Sequence, residues 1–355
     1  MNQTVKIKLL YKQEQLPIFQ NRMYDTETEA KACAKGDMEL VENQSTGLVY
    51  NAAFCPELMT YDAHYQNEQA LSPLFRQHLE SVLGIVDRCM GRSALVEVGC
   101  GKGFFLELLL GKGFDITGFD PTYEGNNLRV MRHYFEPGVG IKANGLVLRH
   151  VLEHVQNPYD FLLQLKLANG GSGRIYIEVP CFDWICEKKA WFDVFYEHVN
   201  YFRISDFYRM FGKIVDSGRL FGDQYLYVVA ELATLREPKF DIDDGVRFPQ
   251  NFTSSLIEPD LAAPVQFAIW GGASKGVIFA LLKDRVGQPI RAVIDINPAK
   301  QGKYLPATGL LVQSPADALS RLPKGSTIYV MNSNYLEEIK EMSGNAYRYV
   351  GIDHE

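Results

Sequence analysis

From Ala94 onward the apolar positions fall into short runs separated by stretches with helical spacing. ALVEV (94–98) predicts a buried strand, and Gly103 to Gly111 carries the 3.6-residue period of a helix. FDITGF (114–119), VGIK (139–142) and LVLRH (146–150) predict the next three strands. NPYDFLLQLKLA (157–168) opens with Asn-Pro, a helix start, and RIYIEV (174–179) alternates as a fifth strand. KIVDSGRLFGDQYLYVVAEL (213–232) reads as two strands around a turn, an antiparallel hairpin. Parallel βα units closed by a hairpin predict an α/β open sheet.

TLREPKFDIDDGVRFPQ (234–250), with its Pro, Asp and Gly residues, reads as a linker. The βα pattern then restarts with FAIWGG (267–272), a helix over Ser274–Lys283, AVIDIN (292–297) and TIYVMN (327–332). Residues 1 to about 60 are polar and weakly periodic. The expected division is a small N-terminal region (1–60), a first α/β domain (61–235) and a second, smaller α/β domain (236–355).

Composition narrows the function. The chain has 355 residues, 46% hydrophobic and 22% charged, enough for two or three well-buried cores. A net charge of −7 argues against nucleic acid, which needs a surplus of Lys and Arg. No apolar run approaches the roughly 20 residues of a membrane helix, and the start lacks a signal-peptide core. The six cysteines form no Cys-x-x-Cys pair and no disulfide framework. A soluble, cytoplasmic protein is the expectation.

EVGCGKG (97–103) sits where the first strand turns into the first helix. Gly99, Gly101 and Gly103 allow a sharp turn and close approach by a ligand. Asp120 ends the next strand about 20 residues later, where a carboxylate takes ribose hydroxyls. The spacing G-x-G-x-G, with Glu97 two residues ahead, resembles motif one of the class I S-adenosylmethionine-dependent methyltransferases. That resemblance implies a cofactor site of Glu97, Gly99, Cys100, Gly101, Gly103, Asp120 and Pro121. Arg149, His150 and Val151, at the end of the fourth strand, would line the same pocket. RHVLEH (149–154) also contains H-x-x-E-H, a zinc-protease signature. The stretch straddles a strand end, which does not hold His150 and His154 one helical turn apart, so no metal is expected there.

The chain further resembles the sugar C-methyltransferases that act on nucleotide-linked deoxy-ketosugars. The likeness lies in EVGCGKGFFLELL, RHVLEH, EVPCFDW with FYEHVNYF (195–202), and IWGGASKG followed by VIDINPAKQGKYLP. It implies that YDAHYQNEQALSPLF (61–75) folds over the cofactor, with Tyr65 and Ser72 in contact. It also implies an N-terminal zinc module, whose cysteine pairs this chain lacks, and a C-terminal domain that helps hold the acceptor. The family's Tyr-His-Glu-His stretch is here Phe195-Tyr196-Glu197-His198.

FYEHVNYF lies beyond the fifth strand, on the ligand side of such a sheet. His198 is the expected general base, with Glu197 and Tyr196 as catalytic partners. Glu178, Asn200 and Tyr201 are expected on the acceptor, a small molecule such as a nucleotide-linked sugar or another anionic metabolite. Ser274 and Lys275 open the second glycine loop and would hold the acceptor's anion at a helix N-terminus. The same loop carries Gly271, Ala273 and Gly276, with Asp295 ending the next strand. That variant of the dinucleotide fingerprint supports a rival, a nicotinamide-dependent oxidoreductase. N- or O-methylation on the same fold, and a catalytically dead scaffold, also compete with C-methylation.

Overall fold

A computed structural model describes residues 6–59, 72–257 and 267–353. The N-terminal region forms three antiparallel strands, β1 (Ile7–Pro17), β2 (Lys35–Asn43) and β3 (Val49–Asn51). The central part contains β4 (Leu95–Val98), β5 (Ile116–Phe119), β6 (Val130–Met131), β7 (Gly145–Arg149) and β8 (Arg174–Pro180). β9 (Asn200–Tyr201) lies inside FYEHVNYF, and β10 (Ile214–Leu220) and β11 (Tyr225–Glu231) form the predicted hairpin. The last part adds β12 (Phe267–Trp270), β13 (Ala292–Ile294), β14 (Val312–Gln313), β15 (Thr327–Val330) and β16 (Arg348–Gly351).

The central sheet has the order β10-β11-β8-β7-β4-β5-β6. β4 to β8 run parallel, and β11 pairs antiparallel with β8 and β10. This is a doubly wound sheet whose order reverses beside β4, with the antiparallel hairpin at one edge. β4 is buried at all four positions, as a strand covered by helices on both faces must be. Its helix, Phe104–Gly111, starts after Gly103, which is left-handed at φ 79°. The helix Pro158–Ala168 starts as Asn-Pro predicts: Asn157 accepts from Asp160 N and Pro158 takes the first turn.

VGIK (139–142) is not a strand; the third strand position is taken by the two-residue β6. Gly138 and Gly140, both at positive φ, turn the chain where a strand was expected. The last sheet is all parallel in the order β14-β13-β12-β15-β16, a second doubly wound unit. β14 and β16 escape the hydrophobic pattern, being short or half-exposed.

The N-terminal region holds more order than its weak periodicity predicts. β9 completes its sheet, pairing Tyr201 with Val49 and Asn200 with Tyr50. The N-terminal strands therefore hydrogen-bond directly to the FYEHVNYF segment. The expected linker packs back on them: Val246 N donates to Glu42 Oε1 at 2.7 Å, and Lys8 Nζ donates to the Val246 carbonyl. Among the described residues, no helix is long and apolar enough to cross a membrane.

Candidate active site

The glycine loop leaves β4 with Gly99, Gly101 and Gly103 all in the left-handed region. A Cβ on Gly99 would meet Val151 Cγ2 at 2.5 Å, whereas one on Gly101 would meet nothing within 4 Å. Val151 thus closes one side of the loop and Gly101 faces open space. Asp120 shapes the loop: its Oδ2 accepts from Gly101 N at 2.8 Å, and its Oδ1 accepts from Thr122 N and Oγ1. Oδ1 is filled by these two donors, and Oδ2 keeps acceptor capacity for a further one. Cys100 is buried with its thiol pKa pushed up, so it is packing rather than nucleophile. Pro121 is exposed beside Asp120.

Glu97 is buried, and its Oε2 has no hydrogen-bond partner among the described residues. Desolvation raises its pKa to about 8, against the pull of Arg149. A buried carboxyl oxygen without a donor is costly, and an ammonium arriving at the loop would supply both charge and a hydrogen bond. Arg149 lies over the Phe105 ring, 4.6 Å from its centroid. An acid and a base flanking an open glycine loop fit the zwitterionic end of an amino-acid cofactor, and Asp120 fits its ribose.

Beneath the loop lies a buried charge network. Glu178 is fully buried and accepts from Arg149 Nε and Nη2, from Tyr176 Oη at 2.7 Å, and from His78 Nε2. His150 Nε2 lies 3.1 Å from Glu178 Oε1, and its Nδ1 lies 3.4 Å from Glu153 Oε1. Burial penalises the Glu178 carboxylate, but Arg149, His150 and His78 outweigh that and hold its pKa well below the usual range. For His150, burial favours the neutral ring, yet the two flanking carboxylates win and raise its pKa to about 9. His150 is held in the left-handed region at φ 51°, a strained state for a residue with a Cβ. Glu178 is therefore the hub of this network, not the acceptor contact expected from the sequence. His78 and Tyr176 carried no motif that marked them.

His198 sits in a second cluster. Its ring lies 5.0 Å from that of His154 and 4.0 Å from that of Phe195. His154 Nδ1 pairs with the Glu197 carbonyl at 2.8 Å, which makes Nδ1 the donor and leaves Nε2 a lone pair. Glu153, His154 and His198 bring one ligand-type atom each within 4.8 Å of one another. His198 Nδ1 and Glu153 Oε2 have no hydrogen-bond partner among the described residues. Desolvation first, then the neighbouring His154, His150 and Lys275, drive the His198 pKa well below 6.5. The imidazole is neutral at pH 7 with a lone pair to offer.

The other residues of FYEHVNYF have different tasks from those expected. The Tyr196 hydroxyl accepts from Cys55 N at 2.8 Å, and its ring packs where a Cβ on Gly36 would come within 2.3 Å. Tyr196 thus anchors the N-terminal region. Glu197 Oε1 accepts from Gln20 N at 3.1 Å. Asn200 Nδ2 donates to the Val155 carbonyl, and Tyr201 Oη closes on Phe195 N and O. These three side chains brace the segment that presents His198. Ser72 caps the helix Pro73–Met90 by accepting from Leu74 N. Tyr65 lies outside the described residues.

The second glycine loop also departs from expectation. Ser274 Oγ accepts from Asn21 Nδ2 at 2.9 Å, and Lys275 pairs with Asp193 at 3.1 Å while donating to Gln224 Oε1. Both side chains are engaged within the protein. Asp295 accepts from Gly272 N of the glycine loop and from Asn297 N of its own turn.

The sheet order, with the glycine loop after β4 and Asp120 after β5, is the architecture of a class I methyltransferase fold. A family described as a methyltransferase domain matches residues 64–214. The chain is an S-adenosylmethionine-dependent methyltransferase. Among curated proteins it is 22% identical over 337 residues to the C-methyltransferase NovU of Streptomyces niveus, covering 81% of this chain and 79% of that one. Among solved structures it is similar to the 1,6-didemethyltoxoflavin-N1-methyltransferase of Burkholderia thailandensis, at 15% identity and TM-score 0.34, covering 55% of this chain and 96% of that one. It is also similar to the plantazolicin methyltransferase BpumL, at 20% identity and TM-score 0.27, covering 32% of this chain and 50% of that one.

Proposed function

We propose that the enzyme methylates a small acceptor on a carbon next to a carbonyl, with His198 as general base. The observation that carries this is the buried His198, whose Nδ1 is without a partner among the described residues. The likeness, over most of both chains, to a protein named as a C-methyltransferase supports carbon as the acceptor atom. Glu97, Arg149, Asp120 and the backbone of Gly101 would hold S-adenosylmethionine. The cofactor supplies an activated methyl on a sulfonium, whose leaving group departs neutral, so no protein acid is required.

The protein's share of the chemistry is one proton. His198 takes it from the carbon beside the acceptor's carbonyl, and the resulting enolate carbon is the nucleophile. Phe195 and the aromatic packing around it exclude water, which keeps the imidazole neutral and strengthens local electrostatics. His154 and Glu153 hold the segment from the other side, since Val199 N donates to the Glu153 carbonyl at 2.8 Å.

The clustering of Glu153, His154 and His198 gives this reading a direct test. Methyl transfer is measured before and after exhaustive treatment with a chelator. An unchanged rate is expected for a base. A rate abolished by chelation and restored by a divalent ion would make the three side chains ligands and remove His198 from the role of base.

A further inference from the structure

Doubly wound sheets bind ligands in the crevice outside the carboxyl ends of their strands, where the strand order reverses. In the C-terminal sheet that point lies between β12 and β15. The residues there are Lys275, which follows β12, Asn332, which follows β15, and Asp353, which follows β16. All three converge on one side chain of the catalytic part. Gln224, buried in the turn of the β10–β11 hairpin, donates through Nε2 to Asn332 Oδ1 and Asp353 Oδ2, each at 3.0 Å. Its Oε1 accepts from Lys275 Nζ at 2.8 Å and from Asn332 Nδ2 at 3.0 Å. Asn334 Nδ2 adds a bond to the Phe221 carbonyl of the same turn.

Lys275 has a second partner. Its ammonium lies 3.1 Å from Asp193 Oδ2 and 4.7 Å from the centre of the Trp184 ring. Two residues before Asp193, the Trp191 ring stacks on Phe279 of the helix Ser274–Arg285 at 5.3 Å and 16°. Asp193 stands five residues before His198 in the segment that carries the proposed base. The glycines of the dinucleotide-like fingerprint serve packing: a Cβ on Gly276 would fall 1.9 Å from the Gly271 carbonyl oxygen.

We propose that the ligand crevice of the C-terminal sheet is a socket for the catalytic part of the same chain, and that Lys275 is a positioning residue that fixes the 191–200 segment through Asp193. The amide group of Gln224 takes the donors and acceptors that a bound ligand would otherwise take. The C-terminal unit then binds no nicotinamide dinucleotide, and its contribution to methyl transfer is to hold His198 in place. The proposal takes over the reading that 191–200 carries the base, but its test needs neither acceptor nor base.

Hydrogen exchange on the full-length protein reads it. In wild type, the amides of Asp193 and Val199 are bonded to the carbonyls of Ala190 and Glu153. Lys275→Ala should speed exchange across 191–200 by about tenfold or more, as expected for loss of a charge-assisted bond. Lys275→Arg should restore most of the protection. Protection of 97–103 and the affinity for S-adenosylhomocysteine should stay at wild-type levels, and NADH should not bind. Should Lys275→Ala exchange faster everywhere, Asp193→Asn and Gln224→Ala give the same local reading. Wild-type protection of 191–200 in all three variants would overturn the proposal. So would micromolar NADH binding that disappears in Lys275→Ala.

Discussion

His198→Ala is expected to lower the rate of methyl transfer about 10²- to 10⁴-fold, the usual contribution of a positioned base. Affinity for S-adenosylhomocysteine should hardly change, because Glu97, Arg149 and Asp120 belong to the glycine-loop cluster and His198 to the other. The burial of His198 also predicts a pH dependence. Burial and the neighbouring imidazoles and Lys275 lower the His198 pKa, so its neutral, proton-accepting form persists below the ordinary 6.5. The wild-type rate should therefore stay level from pH 8 down through 6.5 and decline only below that, with the decline missing in the variant. Single-turnover transfer across pH measures both effects. A variant within about threefold of wild type would leave the work to binding geometry. In that event Tyr196 is no substitute, because its hydroxyl is engaged by Cys55 N.

The largest effect on stability should come from Glu178. Its carboxylate pairs with Arg149 at 2.9 Å, and it also takes His78 and Tyr176. Removing one partner of a buried ion pair costs about 3–5 kcal/mol, because the other charge is left without compensation. Glu178→Ala should lose that much in urea unfolding, and Glu178→Gln a good part of it, since the amide cannot balance Arg149. The pH sign follows from the depressed pKa: the stabilisation is present above the ordinary carboxylate range and is lost as pH falls through the lower, folded value. A loss within the roughly 0.5 kcal/mol of an ordinary surface change would mean that Arg149 is compensated elsewhere.

Much of the fold was legible because its determinants are local. EVGCGKG specified three left-handed glycines, Asn157-Pro158 specified a helix start, and residues 213–232 specified the hairpin, and each stands where the pattern placed it. The N-terminal strands were hidden because β1 is exposed along most of its length, so its polar face masks the alternation. VGIK failed for the opposite reason: Val139 and Ile141 alternate like a strand, but Gly138 and Gly140 beside them turn the chain.

The site was legible by composition more than by role. The sequence brought forward Glu97, Asp120, His150 and His198, and the structure keeps them around the two clusters. It could not show that His154 packs edge-on against His198, since 43 residues separate Glu197 from the ring that grips its carbonyl. Nor could it show that Tyr196, Asn200 and Tyr201 are bracing groups, because only tertiary contacts with Cys55, Val155 and Phe195 decide it. Lys275 read as an anion site from a helix N-terminus, and lost that reading to Asp193, which is remote in sequence.

With His198 drawing a proton from the carbon beside a carbonyl, as proposed, the methyl is expected on that carbon. Wild-type enzyme is incubated with S-adenosylmethionine labelled with ¹³C at the methyl group and a protein-free small-molecule extract. Long-range proton–carbon correlations of the labelled product then locate the methyl. The expected result is a methyl bonded to a carbon beside a carbonyl, absent when His198→Ala replaces the wild type. A labelled methyl on nitrogen or oxygen would contradict the account.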